Sequence, residues 1–449
     1  MAMGRRKRRQ RELFVGTAEL PRGPAHPFYA RLNRVLEKAG FDAFAEEACA
    51  RYYAEGVGRP SLVPGVYFRL LLIGYFEGLD SERGIAWRVA DSLTLREFLG
   101  YEVTDRPPDH STISRTRRRI ATETHERVFS WVLEVLVRRG LVKGKTLGVD
   151  ATTLEANAAL RSIVRRDTGE GYVEFLEGLA KESGIETPTR ADLAKLDKKR
   201  PRKGSNEDWE HPQDPDARIT KMKDGRTHLA HKVEHAVDME TGAVVGVTLQ
   251  PANRGDTKSL FETIRDVGEN FEDLIEEPEV AGRLSRELLG EVVADKGYHS
   301  GAVLEQCAEK TIRTYISEPA RGRRKWNGRE QLRDLTYANR RRTRDPRGQR
   351  LMRQRGEKIE RSFAHCYETG GMRRTHLRGH SNIRKRLLIH VAAFNLGLVM
   401  RNLFGYGTPR ALQGLVAALR TLMSRLRRLI LPENPKGRPS RNPSWSGWT

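Results

Sequence analysis

The stretch TLGVDATTLEA (146–156) decides how this chain is read. Thr146 to Val149 is a strand-like run that ends on Asp150, and a second run, EVVADKGY (291–298), reads as a buried strand ending on Asp295. An unpaired carboxylate at the end of an apolar strand is costly to desolvate and calls for a partner such as a metal ion. Two of them on adjacent strand ends repel, which raises one pKa unless a cation neutralises the pair. Oxygen-only ligands select Mg²⁺ or Mn²⁺. Two such ions roughly 3.5–4 Å apart stabilise both the attacking and the leaving oxygen of an in-line displacement at phosphorus. A carboxylate from a neighbouring helix completes the set. Glu360, within GEKIERSF (356–363), is the candidate, with Glu357 one helical turn earlier as the alternative. An isolated strand-end aspartate more often caps a helix or pairs with Arg. The weight lies in two of them combined with a helical glutamate and a strongly basic chain.

Working outward, residues 141–405 alternate strands and helices. HLAHKVEHAVD (228–238) and AVVGVTLQ (243–250) form a hairpin across Glu240, Thr241 and Gly242. Asp256 caps a helix over 257–267, Val303 to Lys310 is a short helix, and Thr314 to Ser317 is another strand. Leu351 to Tyr367 is the helix that carries Glu360, and 382–403 is a long apolar helix. Two polar segments, about 161–225 and 319–347, interrupt this order as basic insertions, the first with loops and one helix. The result is an α/β fold, a mixed sheet flanked by helices.

Residues 26–140 read as all-helical. Within RPPDHSTISRTRRRI (106–120), Pro107 and Pro108 break the chain, and Asp109 or Ser111 caps a short helix presenting Ser114, Arg115, Arg117 and Arg118. Such a helix resembles the recognition helix of a helix-turn-helix, which meets base edges and phosphates with its first turns. A solvated basic helix is the plainer alternative. Residues 1–25 form a basic disordered arm, and 406–449 a basic helix followed by a Pro/Ser/Gly-rich tail.

Composition narrows the partner. Among 449 residues, 81 Lys and Arg oppose 59 Asp and Glu, for a formal charge of +22. That excess attracts a polyanion, and neutralised phosphates release condensed counterions. Cys49, Cys307 and Cys366 lie too far apart for a zinc ribbon or disulfide framework, which fits a reducing cytoplasm; the expected location is cytoplasmic and nucleoid-associated. The run LLIHVAAFNLGLVMRNLF (387–404) approaches spanning length, but His390, Asn395 and Arg401 mark it as a buried core helix, so no membrane is involved.

The chain resembles the DDE transposases of bacterial insertion sequences. The stretches VDATTLEANAA (149–159), ADKGYHS (294–300) and ERSFAHCYETGGMRRTHLRG (360–379) carry the likeness, and 60–120 resembles the helical N-terminal domain common in that group. The resemblance implies an RNase H-like catalytic core with Asp150, Asp295 and Glu360 as catalytic residues and ligands of two Mg²⁺ (or Mn²⁺) ions. It further implies double-stranded DNA as partner, at terminal inverted repeats and at a target, with a homodimer holding paired ends. Tyr298 matches the family's tyrosine near the second aspartate and can stack on a displaced base, beside Lys296 and His299 as phosphate contacts. Tyr367 occupies the family's lysine position, a departure, and Arg361, Arg373 and Arg374 are the cations placed to replace it. The alternatives are a DNA-binding regulator or transposase relic without catalysis, and an RNase H-like nuclease without strand transfer.

Overall fold

A computed structural model of the chain describes residues 26–54, 61–200, 204–222, 225–320, 322, 324–414 and 423. The expected N-terminal arm, most of the C-terminal helix and the tail lie outside the described residues.

Among the described residues, seven α-helices precede the sheet: α1 (Pro27–Lys38), α2 (Phe41–Cys49), α3 (Pro64–Glu77), α4 (Glu82–Ala90), α5 (Leu93–Phe98), α6 (His110–Arg119) and α7 (Thr122–Arg138). Their starts follow ordinary capping chemistry. Ser81 and Ser92 cap α4 and α5, and Asp109 caps α6 by accepting from the Thr112 N–H at 3.0 Å. The Ser111 hydroxyl and the Thr112 N–H hold the Asp109 carboxyl down at about 2.

β1 (Thr146–Glu155) then starts the sheet. A small subdomain follows, built from β2 (Val164–Arg165), α8 (Tyr172–Glu182), α9 (Arg190–Lys199) and β3 (Trp209–Glu210). This insertion is more ordered than its polar composition suggested. It holds two helices, not one, around a separate apolar cluster of Ala156, Ile163, Trp209, Ala217, Ile219 and Leu229.

The sheet continues with β4 (Arg218–Lys221), β5 (Thr227–Asp238), β6 (Val244–Pro251), β7 (Glu291–Ala294) and β8 (Arg313–Ile316). Its order is β4–β5–β1–β7–β8, with β6 also paired to β5. β5 is antiparallel to β1, β4 and β6, whereas β1, β7 and β8 run parallel. This mixed sheet flanked by helices is the expected RNase H-like arrangement.

Between β6 and β8 lie α10 (Asp256–Ile275), α11 (Pro278–Ala281) and α12 (Gly301–Glu309); after β8 come α13 (Glu330–Arg344), α14 (Pro346–Phe363), a π-helical segment (Ala364–Thr369) and α15 (His380–Phe404). α14 lies on one face of the sheet. Gly148 makes its close approach possible, because a Cβ there would fall 2.6 Å from Met239 Sδ and 3.3 Å from Ile359 Cδ1. α10 covers the other face.

α15 packs against α3, α7 and β6, so the N-terminal helices and the sheet share one apolar core. It is the one described helix long and apolar enough to cross a membrane, and most of it is buried inside the fold. Two of the polar interruptions read in its sequence are satisfied inside the fold, and the third, Arg401, is exposed. His390 Nε2 bonds the Gly370 carbonyl at 3.0 Å, and Asn395 bonds the N–H and C=O of Val244 at 3.0 and 2.8 Å.

Candidate active site

β1 does not end at Asp150. It runs on to Glu155, pairing with β5 throughout, so Asp150 stands mid-strand opposite His235. The strand that stops is β7. Its last pair with β1 is Gly148 with Val293, and Asp150 and Asp295 each stand two residues beyond it. The parallel register therefore brings the two aspartates to the same level, at the edge that β7 leaves open.

Their surroundings differ. The Asp150 carboxylate accepts from Arg355 Nη1 on α14 at 2.6 Å and from its own neighbour's N–H, Ala151, at 2.8 Å. Burial pushes its pKa up, the Arg355 guanidinium pulls it back, and the Asp295 charge adds to the rise. Asp295 lies past the end of β7, where the chain turns into a single 3₁₀ turn over Lys296–Tyr298. Its side chain caps that turn by accepting from the Gly297 N–H at 2.8 Å.

Glu360 is not gathered with them. α14 turns Arg355, Ile359 and Ser362 toward the sheet and leaves Glu360 exposed on its outer side. Glu357 is also exposed and pairs with Arg361 at 2.8 Å. Among the described residues, no cluster of three or more His, Cys, Asp or Glu side chains stands ready to hold a metal ion. Of the three expected carboxylates, Asp150 and Asp295 come to one level and Glu360 stays apart, while Arg355 supplies the cation that offsets Asp150. The paired aspartates suit a hard divalent ion, being oxygen donors at one level on an open strand edge.

His235, on the same sheet face as Asp150, anchors the end of α14. Ser362 donates to the Ile359 carbonyl at 2.8 Å, so it accepts from His235 Nδ1 at 2.9 Å. His235 Nε2 in turn accepts from the Tyr367 hydroxyl. Burial lowers the His235 pKa to about 3, so the ring is neutral. Tyr367, at the position where the resemblance implies a lysine, is fully buried in this contact and does not reach a phosphate.

Several expected DNA contacts are corrected by burial. Arg117 is 7% exposed, paired with Glu82 and bonded to Asn382 Oδ1 at 3.2 Å, because the face of α6 that carries Ile113, Thr116 and Arg117 packs inward. It ties α6 to α4 and α15. Ser114 accepts from Arg117 Nη2 at 3.3 Å, while Arg115 and Arg118 are exposed. Tyr298 is fully buried with its hydroxyl on Glu234, so its ring packs within the protein and meets no base in this conformation. His299 is buried as well, and Lys296 between them and Asp295 is exposed.

Of the three expected arginines, two reach β1 beyond Asp150. Arg361 is exposed. Arg373 Nη1 donates to Thr152 Oγ1 at 3.1 Å, next along the Asp150 face of β1, and the exposed Arg374 lies 3.7 Å from Glu155.

Sequence reasoning missed Arg355, His235, Lys232, Glu234 and the true role of Asp256. Asp256 does not cap α10; Gly255 holds that position, and the Asp256 carboxylate accepts from Lys232 Nζ at 2.6 Å. The available signal was two opposite charges, Lys232 and Glu234, on one face of a strand otherwise fit for burial.

Comparison with known families agrees with this architecture. The family described as Transposase domain (DUF772) matches residues 19–119, and the Transposase DDE domain matches residues 149–396. No curated protein and no solved structure matches the chain.

Proposed function

From a chain that belongs to the Transposase DDE domain family, we infer metal-dependent cleavage of DNA at the ends of an insertion sequence and transfer of the freed strands into target DNA. The observation that carries the reading is the β1–β7 register, which sets Asp150 and Asp295 level on neighbouring parallel strands.

Asp150 and Asp295, joined by Glu360, are the residues assigned to hold two divalent ions, Mg²⁺ or Mn²⁺. Bound there, such ions supply Lewis acidity at phosphorus and a water of lowered pKa. The chain's own groups do the rest. Arg355 releases Asp150, and α14 turns to present Glu360 to the strand edge. Lys296, Arg361, Arg373 and Arg374 hold phosphates on either side of the scissile bond. In the first step the water oxygen bonds to phosphorus and the P–O3′ bond breaks, leaving a 3′-hydroxyl on the element. That hydroxyl then attacks a target phosphodiester, one P–O bond forming as another breaks, with no covalent protein–DNA intermediate. Arg115 and Arg118 on α6 contact the terminal repeats, and a homodimer holds both ends.

The test uses labelled duplexes carrying the inverted repeats that flank the coding region, together with a target plasmid. Asp150→Ala abolishes cleavage and joining but leaves a mobility shift on the end duplex. Cleavage retained in that variant sinks the reading. A shift without cleavage in the wild type favours a binding regulator, and cut but unjoined products favour a nuclease.

A further inference from the structure

Behind the sheet from α14, on the α10 side, lies a cluster of polar groups that the reaction above does not use. Lys232 and Glu234 of β5 are 4% and 0% exposed. Lys232 Nζ donates to Asp256 Oδ1 at 2.6 Å, to Ser259 Oγ at 2.8 Å and to Glu234 Oε1 at 3.0 Å. Glu234 Oε2 accepts from Thr263 at 2.6 Å, and its Oε1 accepts from the Ser259 and Tyr298 hydroxyls, the latter at 3.0 Å. Buried charges are tolerated when paired and fully hydrogen-bonded, and a network satisfied in this way is rigid.

The network ends on the turn that bears Asp295. Tyr298 is the last residue of that turn, and its hydroxyl is moored to Glu234. A side chain at Gly297, in the middle, would push aside the carboxylates around it. A Cβ there would lie 2.5 Å from Asp256 Oδ2 and 3.0 Å from Asp295 Oδ1. The Gly297 N–H holds the same Asp295 oxygen. Asp256 thus packs against the backbone that positions Asp295, and Lys232 fixes Asp256.

We propose that Lys232, Glu234, Asp256 and Tyr298 are positioning residues for Asp295, setting its carboxylate for the metal ion from the opposite face of the sheet. The proposal rests on the assignment of Asp295 as a ligand. None of the four touches the reacting atoms; they act by removing the turn's freedom before substrate arrives, as groups behind a ligand do when they orient it.

The test is a double-mutant cycle read by Mn²⁺ binding, followed by electron paramagnetic resonance on the full chain bound to an end duplex. Tyr298→Phe removes one hydrogen bond at constant shape. It is expected to weaken Mn²⁺ binding about tenfold in the wild-type background and by nothing further in an Asp295→Asn background. Unchanged affinity in the first background, or an equal loss in both, overturns the proposal. Where Tyr298→Phe does not fold, Asp256→Asn, whose side chain is 37% exposed, takes its place with the same expectations. The two readings fail separately: retained cleavage in Asp150→Ala removes the transposase chemistry, whereas a flat cycle beside a dead Asp150→Ala removes only the positioning role.

Discussion

The two aspartates share a strand edge but live in opposite mechanical settings. Asp295 sits on a turn moored by a buried network, with Tyr298, Glu234 and Lys232 nearly or wholly excluded from water. Asp150 faces a single partner from another element, the Arg355 side chain of α14, and keeps 28% of its own side chain exposed. One half of the site is built before substrate binds. The other half is held by an ion pair, on a helix that leaves Glu360 facing outward.

The largest expected effect breaks the moored half. Glu234→Ala takes from buried Lys232 its fully buried counter-charge and leaves it only the partly exposed Asp256. It should destabilise the fold by about 3–5 kcal/mol, the usual result of removing one partner of a buried pair. Denaturant melts would show it, and a loss under 1 kcal/mol would mean the network is not the anchor described here. Next in size, Glu360→Gln should slow end cleavage by about 10²-fold or more through loss of a metal ligand, while Glu357→Gln should leave it nearly unchanged. Reversed outcomes in that pair would move the third ligand one turn along α14. The smallest effect sharpens the ion-paired half. Arg355→Ala should tighten Mn²⁺ binding to the DNA-free protein by about three- to tenfold, because the ion no longer displaces a guanidinium whose partly exposed pairing contributes roughly 1 kcal/mol. Weaker binding in that titration would make Arg355 a support of the site, not a competitor for it.

Much of this was legible in the chain, and the reasons for the rest are physical. Apolar runs announced β1 and β7, and the turn residues Glu240 to Gly242 announced the β5–β6 hairpin to within a residue or two. The extension of β1 through Thr152, Thr153 and Glu155 was invisible because it rests on β5 pairing, not on apolar character. α13 was hidden for a similar reason. It buries only Thr336 and Asn339 and reads as part of a basic insertion. Alternation puts Lys232 and Glu234 of β5 on one face but does not say what covers that face, which is α10 through Ser259 and Thr263. The identities of Asp150 and Asp295 as a pair could be read because each follows an apolar run. The outward setting of Glu360 could not, since helical spacing alone does not say which side of α14 meets the sheet.

α15 has a consequence for the proposed contact with DNA. Near its start, Asn382 and Lys385 grip Arg117 of α6, by side chain and by carbonyl; further along, Asn395 clasps the backbone of β6. A rod anchored at both points works as a ruler. On the proposed function, that fixed separation sets how many base-pair steps divide the repeat contacted by α6 from the bond cut at Asp150.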